Sequence, residues 1–152
     1  MALLTSVDFT GLISAPLLVR LTNDTAGAAT VDETVIDKVS AAAWDEMFAW
    51  GLAVKYAQPA AIPTAGPSRE LLCKATRYGM YSRRPELLAT PEGEVVRLEW
   101  NDVISLCKAV AKGDAVIEGL TLLTDTESDA IGGSFSYYSN DVVYTKTNYR
   151  GF

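Results

Sequence analysis

Apolar residues recur every three or four positions along three segments of this chain, the spacing that places side chains on one face of an α-helix. The sequence therefore predicts long helices over roughly residues 32–57, 68–84 and 91–112. Two short helices are expected before them, at roughly residues 6–9 and 14–21. Three prolines and a glycine between Gln58 and Pro67 predict a stiff, extended connection. Together these elements predict a small helical bundle.

Short residue signals mark where the three long helices begin and end. Thr30 and Glu33 have the spacing of a capping box, in which each side chain accepts a backbone N–H, so the first long helix is predicted to start there. Ser68 and Thr90 are predicted to cap the other two helices. Gly113 follows the last periodic residues and is predicted to end the third helix.

The helical period is lost after Gly113. Residues 114–152 contain four of the seven tyrosines and alternating stretches that favour extended or strand structure. We therefore predict a mainly α protein, with a helical domain over residues 1–113 and an extended, β-like C-terminal arm over residues 114–152. Because this arm is too apolar to be left in water, it is expected to bind a partner surface or a neighbouring copy. The residues predicted to bind are Phe135, Tyr137, Tyr138, Tyr144, Tyr149, Arg150 and Phe152.

The chain contains no histidine, and this excludes several kinds of active site. Ser–His and Cys–His nucleophile pairs and histidine-bound zinc or iron are ruled out. The two cysteines, Cys73 and Cys107, are too few for a disulfide framework and lie within helical patterns, so both are expected to be buried thiols. We therefore expect a protein that is not an enzyme and that holds no metal or other cofactor.

The charged residues are unevenly distributed. The 13 basic and 19 acidic residues give a net charge of −6, which argues against binding nucleic-acid phosphates over the whole surface. Five basic residues nevertheless fall within one short stretch. Two interpretations are open: a solvated face paired with neighbouring acidic residues, or a contact face for an acidic protein surface or a nucleic acid. This candidate basic face consists of Arg69, Lys74, Arg77, Arg83 and Arg84.

Three other patterns predict structure rather than chemistry. Asp125, Glu127 and Asp129 alternate as in a calcium loop, but the following residues lack the glycine and glutamate that such a loop needs, so a solvated loop is expected. The three tryptophans lie at helical spacing and are expected in the core. The sequence has neither an apolar run of about 18 residues nor a secretion signal, so we expect a soluble protein made in a cytoplasm, with no membrane partner.

Several short segments, taken in their order and spacing, resemble a known protein family. They are Leu21-Thr-Asn-Asp24, Val31–Ala42, Lys55-Tyr-Ala-Gln-Pro59, Ala75–Arg84 and Ala111-Lys-Gly113, with the ending Val142–Phe152. Together they resemble the Mu-like tailed-phage structural family that is related to head-completion, or head–tail adaptor, proteins. The resemblance extends over nearly the whole chain.

The resemblance implies a helical adaptor that packs beside identical copies into a ring, commonly a dodecamer, beneath the portal of a DNA-filled capsid. The implied partners are the identical subunits, the portal protein and the next neck or tail-completion protein. The implied location is the virion neck, where DNA passes through the ring without sequence-specific binding. Two alternatives remain open: a stopper or tail-completion protein of the same neck, and a cytoplasmic helical module that regulates or binds nucleic acid through the Arg69–Arg84 face.

Overall fold

The computed structural model describes residues 4–25, 27–59 and 65–123 of the 152-residue chain. The fold is mainly helical, as predicted. The described residues contain two isolated β-bridges and no β-strand. No helix in the described ranges is long and apolar enough to cross a membrane. The elements, in chain order, are the 3-10 turn η1 (Ser6–Phe9), α1 (Ala15–Thr22), α2 (Glu33–Trp50), the 3-10 turn η2 (Leu52–Val54), α3 (Pro67–Ser82), α4 (Pro85–Leu88) and α5 (Pro91–Lys112).

The start of α2 differs from the predicted capping box. Asp32 is the N-cap, and its carboxylate accepts the backbone N–H of Thr34 at 2.9 Å. Thr30 therefore lies outside the cap, and the Glu33 carboxylate accepts the backbone N–H of Ser6 at 3.0 Å instead. The prediction was wrong because an aspartate two residues after Thr30 is an equally good cap. The hydrogen bond from Ser6 to Glu33 connects η1 to the start of α2.

The other helix boundaries agree with the sequence in part. Thr90 caps α5 by accepting a backbone N–H from the first turn, and Gly113 ends the helix in the left-handed conformation, as predicted. At α3 the N-cap is Gly66, and Pro67 occupies the first helical position, so the prediction of Ser68 as the cap was wrong. Ser68 is buried inside the first turn, and its hydroxyl has no hydrogen-bond partner among the described residues.

The core lies between α2, α3 and α5, which pack against one another. Both cysteines are buried in it, as predicted, and burial raises the pKa of each thiol to about 11. Trp44 and Trp100 are also buried. Trp50, however, is 40% exposed, so its predicted place in the core was wrong. Large side chains from all three helices fill the interior, among them Ile36, Met47, Leu72, Met80, Val96 and Val103.

The chain after α5 does not leave the bundle at Gly113. Ile117 is only 3% exposed, and its backbone N–H donates to the Tyr56 hydroxyl oxygen at 2.7 Å. The backbone N–H of Ala57 donates to the Thr121 carbonyl oxygen at 3.0 Å. One compact unit accordingly runs to Leu122, and a second unit starts at residue 123. We call residues 114–122 the clasp, and they belong to the bundle rather than to the predicted arm.

Candidate interaction site

The residues predicted to bind partners fall into two groups, of which the structure describes one. The arm residues from Phe135 to Phe152 lie outside the described residues, as does the acidic stretch 125–129. Their roles stay predictions. The five residues of the candidate basic face lie on α3 or just after it, and its four arginines form ion pairs within the chain.

Arg69, in the first turn of α3, binds the carboxylate of Asp8 in η1. Its Nε and Nη2 atoms donate to the two carboxylate oxygens, each at 2.8 Å, which is a bidentate pairing. Burial alone would raise the pKa of Asp8, but the Thr5 backbone N–H and the Arg69 guanidinium stabilise the carboxylate and hold its pKa below the ordinary value. This pair fastens the N-terminal 3-10 turn to α3.

Arg77 lies in the interface between α3 and α5 and is only 9% exposed. Its Nη1 donates to Glu99 Oε2 at 3.0 Å and its Nη2 to Glu92 Oε1 at 3.4 Å. The Tyr81 hydroxyl donates to the same Glu92 oxygen at 2.7 Å. Since residues later in α3 meet residues earlier in α5, the two helices run antiparallel. Arg77 is the buried charge of this cluster, and its guanidinium is paired with carboxylates at two positions of α5, so the cluster holds the helices in register.

Stability should fall at alkaline pH through Tyr81. Burial, together with the hydrogen bond to Glu92 and its negative charge, raises the pKa of Tyr81 to about 12, above its ordinary value of 10.0. The folded state therefore favours the protonated phenol. Its contribution to the free energy of unfolding is complete below pH 10 and is lost as the pH rises from 10 to 12. Denaturant unfolding at several pH values measures this fall.

The matched variant for this measurement is Tyr81→Phe, which keeps the ring and removes the ionisable hydroxyl. Its free energy of unfolding should depend less on pH between 10 and 12 than that of the wild type. The remaining dependence includes Tyr56, whose pKa burial also raises. An identical fall in both proteins would contradict the role of Tyr81.

Arg83 and Arg84, just after α3, hold the turn that follows α1. Their Nη2 atoms donate to the two carboxylate oxygens of Asp24. Arg83 Nη1 also donates to the Leu21 carbonyl oxygen at 3.1 Å, which satisfies an acceptor left open at the end of α1. The contact joins two of the sequence segments that carry the family resemblance, although they lie about sixty residues apart in the chain.

The arginines of the candidate basic face reach three separate parts of the fold, namely η1, α5 and the turn after α1. Lys74 is exposed on α3. The arginines are thus paired with carboxylates, as one interpretation of the sequence expects, but Arg77 is buried and does not belong to a solvated face. A role for this face in binding an external partner stays a prediction.

An apolar surface that the sequence did not predict lies where the end of α2, the end of α5 and the clasp meet. Half of the eight large apolar side chains that are exposed among the described residues lie at the end of α2, in η2 or in the clasp. We call this group, Trp50, Val54, Val116 and Leu122, the exit patch. One sequence signal could have indicated it: Gly51 directly after Trp50 marks a helix end, where the helical period no longer decides which side chains are buried.

Two depressions lie elsewhere on the described surface. A depression of about 630 Å³ near the N-terminus is lined by apolar and small polar residues, among them Val7, Leu12 and Leu18. Another, of about 310 Å³, adjoins Asp24 and Arg84 and is lined by both acidic and basic residues. Residues 4–25, 27–59 and 65–123 contain no group of three or more side chains that could hold a metal ion.

The family model described as Bacteriophage Mu, Gp36, matches residues 4–132, which is more than four-fifths of the chain. A search of curated proteins found no significant match. The family match covers all the described helices and the clasp and continues into the start of the second unit.

Proposed function

Because this chain belongs to the Bacteriophage Mu Gp36 family, we propose that it is the head–tail adaptor of a tailed bacteriophage neck. Membership of the family places it among phage structural and morphogenesis proteins. In the proposed role it forms a ring with identical copies beneath the portal protein and joins the portal to the next neck component. It is a structural part of the virion and not an enzyme.

The proposal rests on the division of the chain into a helical bundle and a separate C-terminal unit. The described residues form a bundle with a filled core that ends at Leu122. About thirty further residues follow, and they include four tyrosines and two phenylalanines. A ring subunit needs a self-sufficient core and additional apolar sequence that neighbours can bury. Aromatic side chains are the usual anchors of such contacts, so Tyr144, Tyr149 and Phe152 are the proposed anchors.

The charge distribution supports the adaptor over a nucleic-acid-binding module. Each arginine of the candidate basic face pairs with a carboxylate of the same chain, so phosphate binding would have to compete with existing ion pairs. The net charge of −6 suits a channel through which DNA slides without adhering. Salt-dependent binding of duplex DNA by the purified protein would favour the module instead.

Electron cryo-microscopy of the phage particle that contains this protein tests the proposal. We expect density for the bundle, including the antiparallel pair α3 and α5, in a ring that directly contacts the portal. A ring one layer further from the capsid would identify the stopper, which is the alternative in the same neck. Absence of the chain from the neck would overturn both assignments.

A further inference from the structure

We propose that the exit patch, Trp50, Val54, Val116 and Leu122, is the surface of the bundle on which a second copy of this chain docks. The inference rests on the proposed ring and names the part of the bundle that a neighbour covers. Each of the four side chains is at least 37% exposed, and Val116 is 66% exposed. Exposed large apolar groups that are clustered, rather than scattered, mark interaction surfaces.

Contacts within the chain bring the four residues to one end of the bundle. Gly51 at the end of α2 lies directly against α5 at Cys107 and Ala111, so Trp50 and Val54 flank the last turns of α5. Lys55 Nζ donates to the Ala115 carbonyl oxygen at 3.2 Å, which places Val54 and Val116 on adjoining segments. The bridge between Tyr56 and Leu122 brings the end of the clasp to the same place.

Two contacts within the chain orient the Trp50 side chain. The Lys108 ammonium lies over its ring, 4.6 Å from the centroid, and its indole N–H donates to Glu46 Oε1 at 3.4 Å. Its orientation is thus fixed from two sides while 40% of its surface is exposed. A tryptophan that is already ordered loses little side-chain entropy on binding, and tryptophan is enriched among the residues that dominate interface energies.

The position and length of the chain that follows argue for a second copy as the occupant. The exit patch includes Leu122, and the remaining residues continue from this point. Thirty residues can extend to roughly 100 Å, whereas the longest helix of the bundle, with 22 residues, spans roughly 33 Å. Such a segment is long enough to cross a neighbouring bundle, and because it starts at the exit patch, a neighbour bound by its first residues would lie beside the patch.

Sedimentation velocity over a range of concentrations of the full-length protein tests the inference. We expect the wild type to self-associate, and Trp50→Ala and Val116→Ser each to weaken association by about tenfold or more. The matched control is Leu98→Ala on α5, which truncates an apolar residue of intermediate exposure, 54%, away from the patch and should change association by about twofold at most. Far-UV circular dichroism confirms that each variant is folded.

Three results would overturn the inference. The wild type could remain monomeric at every concentration, the exit-patch variants could associate as the wild type does, or Leu98→Ala could lose association to the same extent. None of these results bears on where the chain lies in the virion, which electron cryo-microscopy of the particle decides. Failure of the inference and failure of the proposed function are therefore distinguishable.

Discussion

A chain that ends at Leu123 should be as stable as the full-length protein, whereas one that ends at Gly113 should lose about 3 to 6 kcal/mol of unfolding free energy. The two chains differ by the clasp and Leu123. Its removal exposes the surface that Ile117 covers and leaves the buried Tyr56 hydroxyl without its backbone N–H donor. Since small domains are stable by only about 5 to 15 kcal/mol, the shorter chain should be close to unfolding.

Denaturant unfolding followed by far-UV circular dichroism measures this difference. Two point variants of the full-length chain separate its contributions. Ile117→Ala removes buried apolar volume and should cost about 2 to 4 kcal/mol. Tyr56→Phe removes the hydroxyl that accepts the Ile117 N–H at 2.7 Å and should cost about 1 kcal/mol. Equal stability of the chains ending at Gly113 and Leu123 would show that the bundle is complete at Gly113, as the sequence alone predicts.

The helices themselves could be predicted because their signals are local. Thr90 with Pro91, and Gly113 after Lys112, act through their immediate backbone neighbours, and the structure has α5 between them as expected. Pro85 stops α3 for an equally local reason, since it cannot continue a helix. These features require only the residue types and their spacing.

Two of the errors concern contacts between residues that are distant in the chain. Ile117 has no neighbour in sequence that indicates its burial, because the hydroxyl it meets belongs to Tyr56, some sixty residues earlier. Glu33 has the spacing of a capping residue but binds the backbone of Ser6. Trp50 fits the helical period of α2, yet the chain turns away at the next residue and leaves the side chain at the end of the bundle.

In the candidate site, too, local features could be predicted and contacts between distant residues could not. The sequence indicated that arginines cluster on and after α3, but their carboxylate partners lie in η1, in α5 and in the turn after α1. Which face of a helix is open to a partner depends on where the other helices pack. The exit patch could therefore be recognised only after the ends of α2 and α5 were placed together.

Replacement of Gly51 by alanine should destabilise the bundle by about 3 to 5 kcal/mol for two separate reasons. Gly51 has a φ of 153°, which residues with a side chain rarely adopt, and its N–H caps α2 by donating to the carbonyl oxygens of Met47 and Phe48. In addition, a Cβ at this position would overlap the Cys107 carbonyl oxygen and lie 2.9 Å from the Cβ of Ala111. The end of α2 would have to move away from α5.

Gly113→Ala measures the strain of the left-handed conformation alone, because Gly113 has a φ of 85° and no atom within 4 Å of the position of a Cβ. This control should cost only the backbone strain, about 1 to 2 kcal/mol, in the same denaturant unfolding experiment. If the two variants lose equal stability, close packing of α2 on α5 at Gly51 contributes nothing beyond strain. If Gly51→Ala loses more, the excess measures the close packing of α2 on α5 together with the greater strain of a φ of 153°.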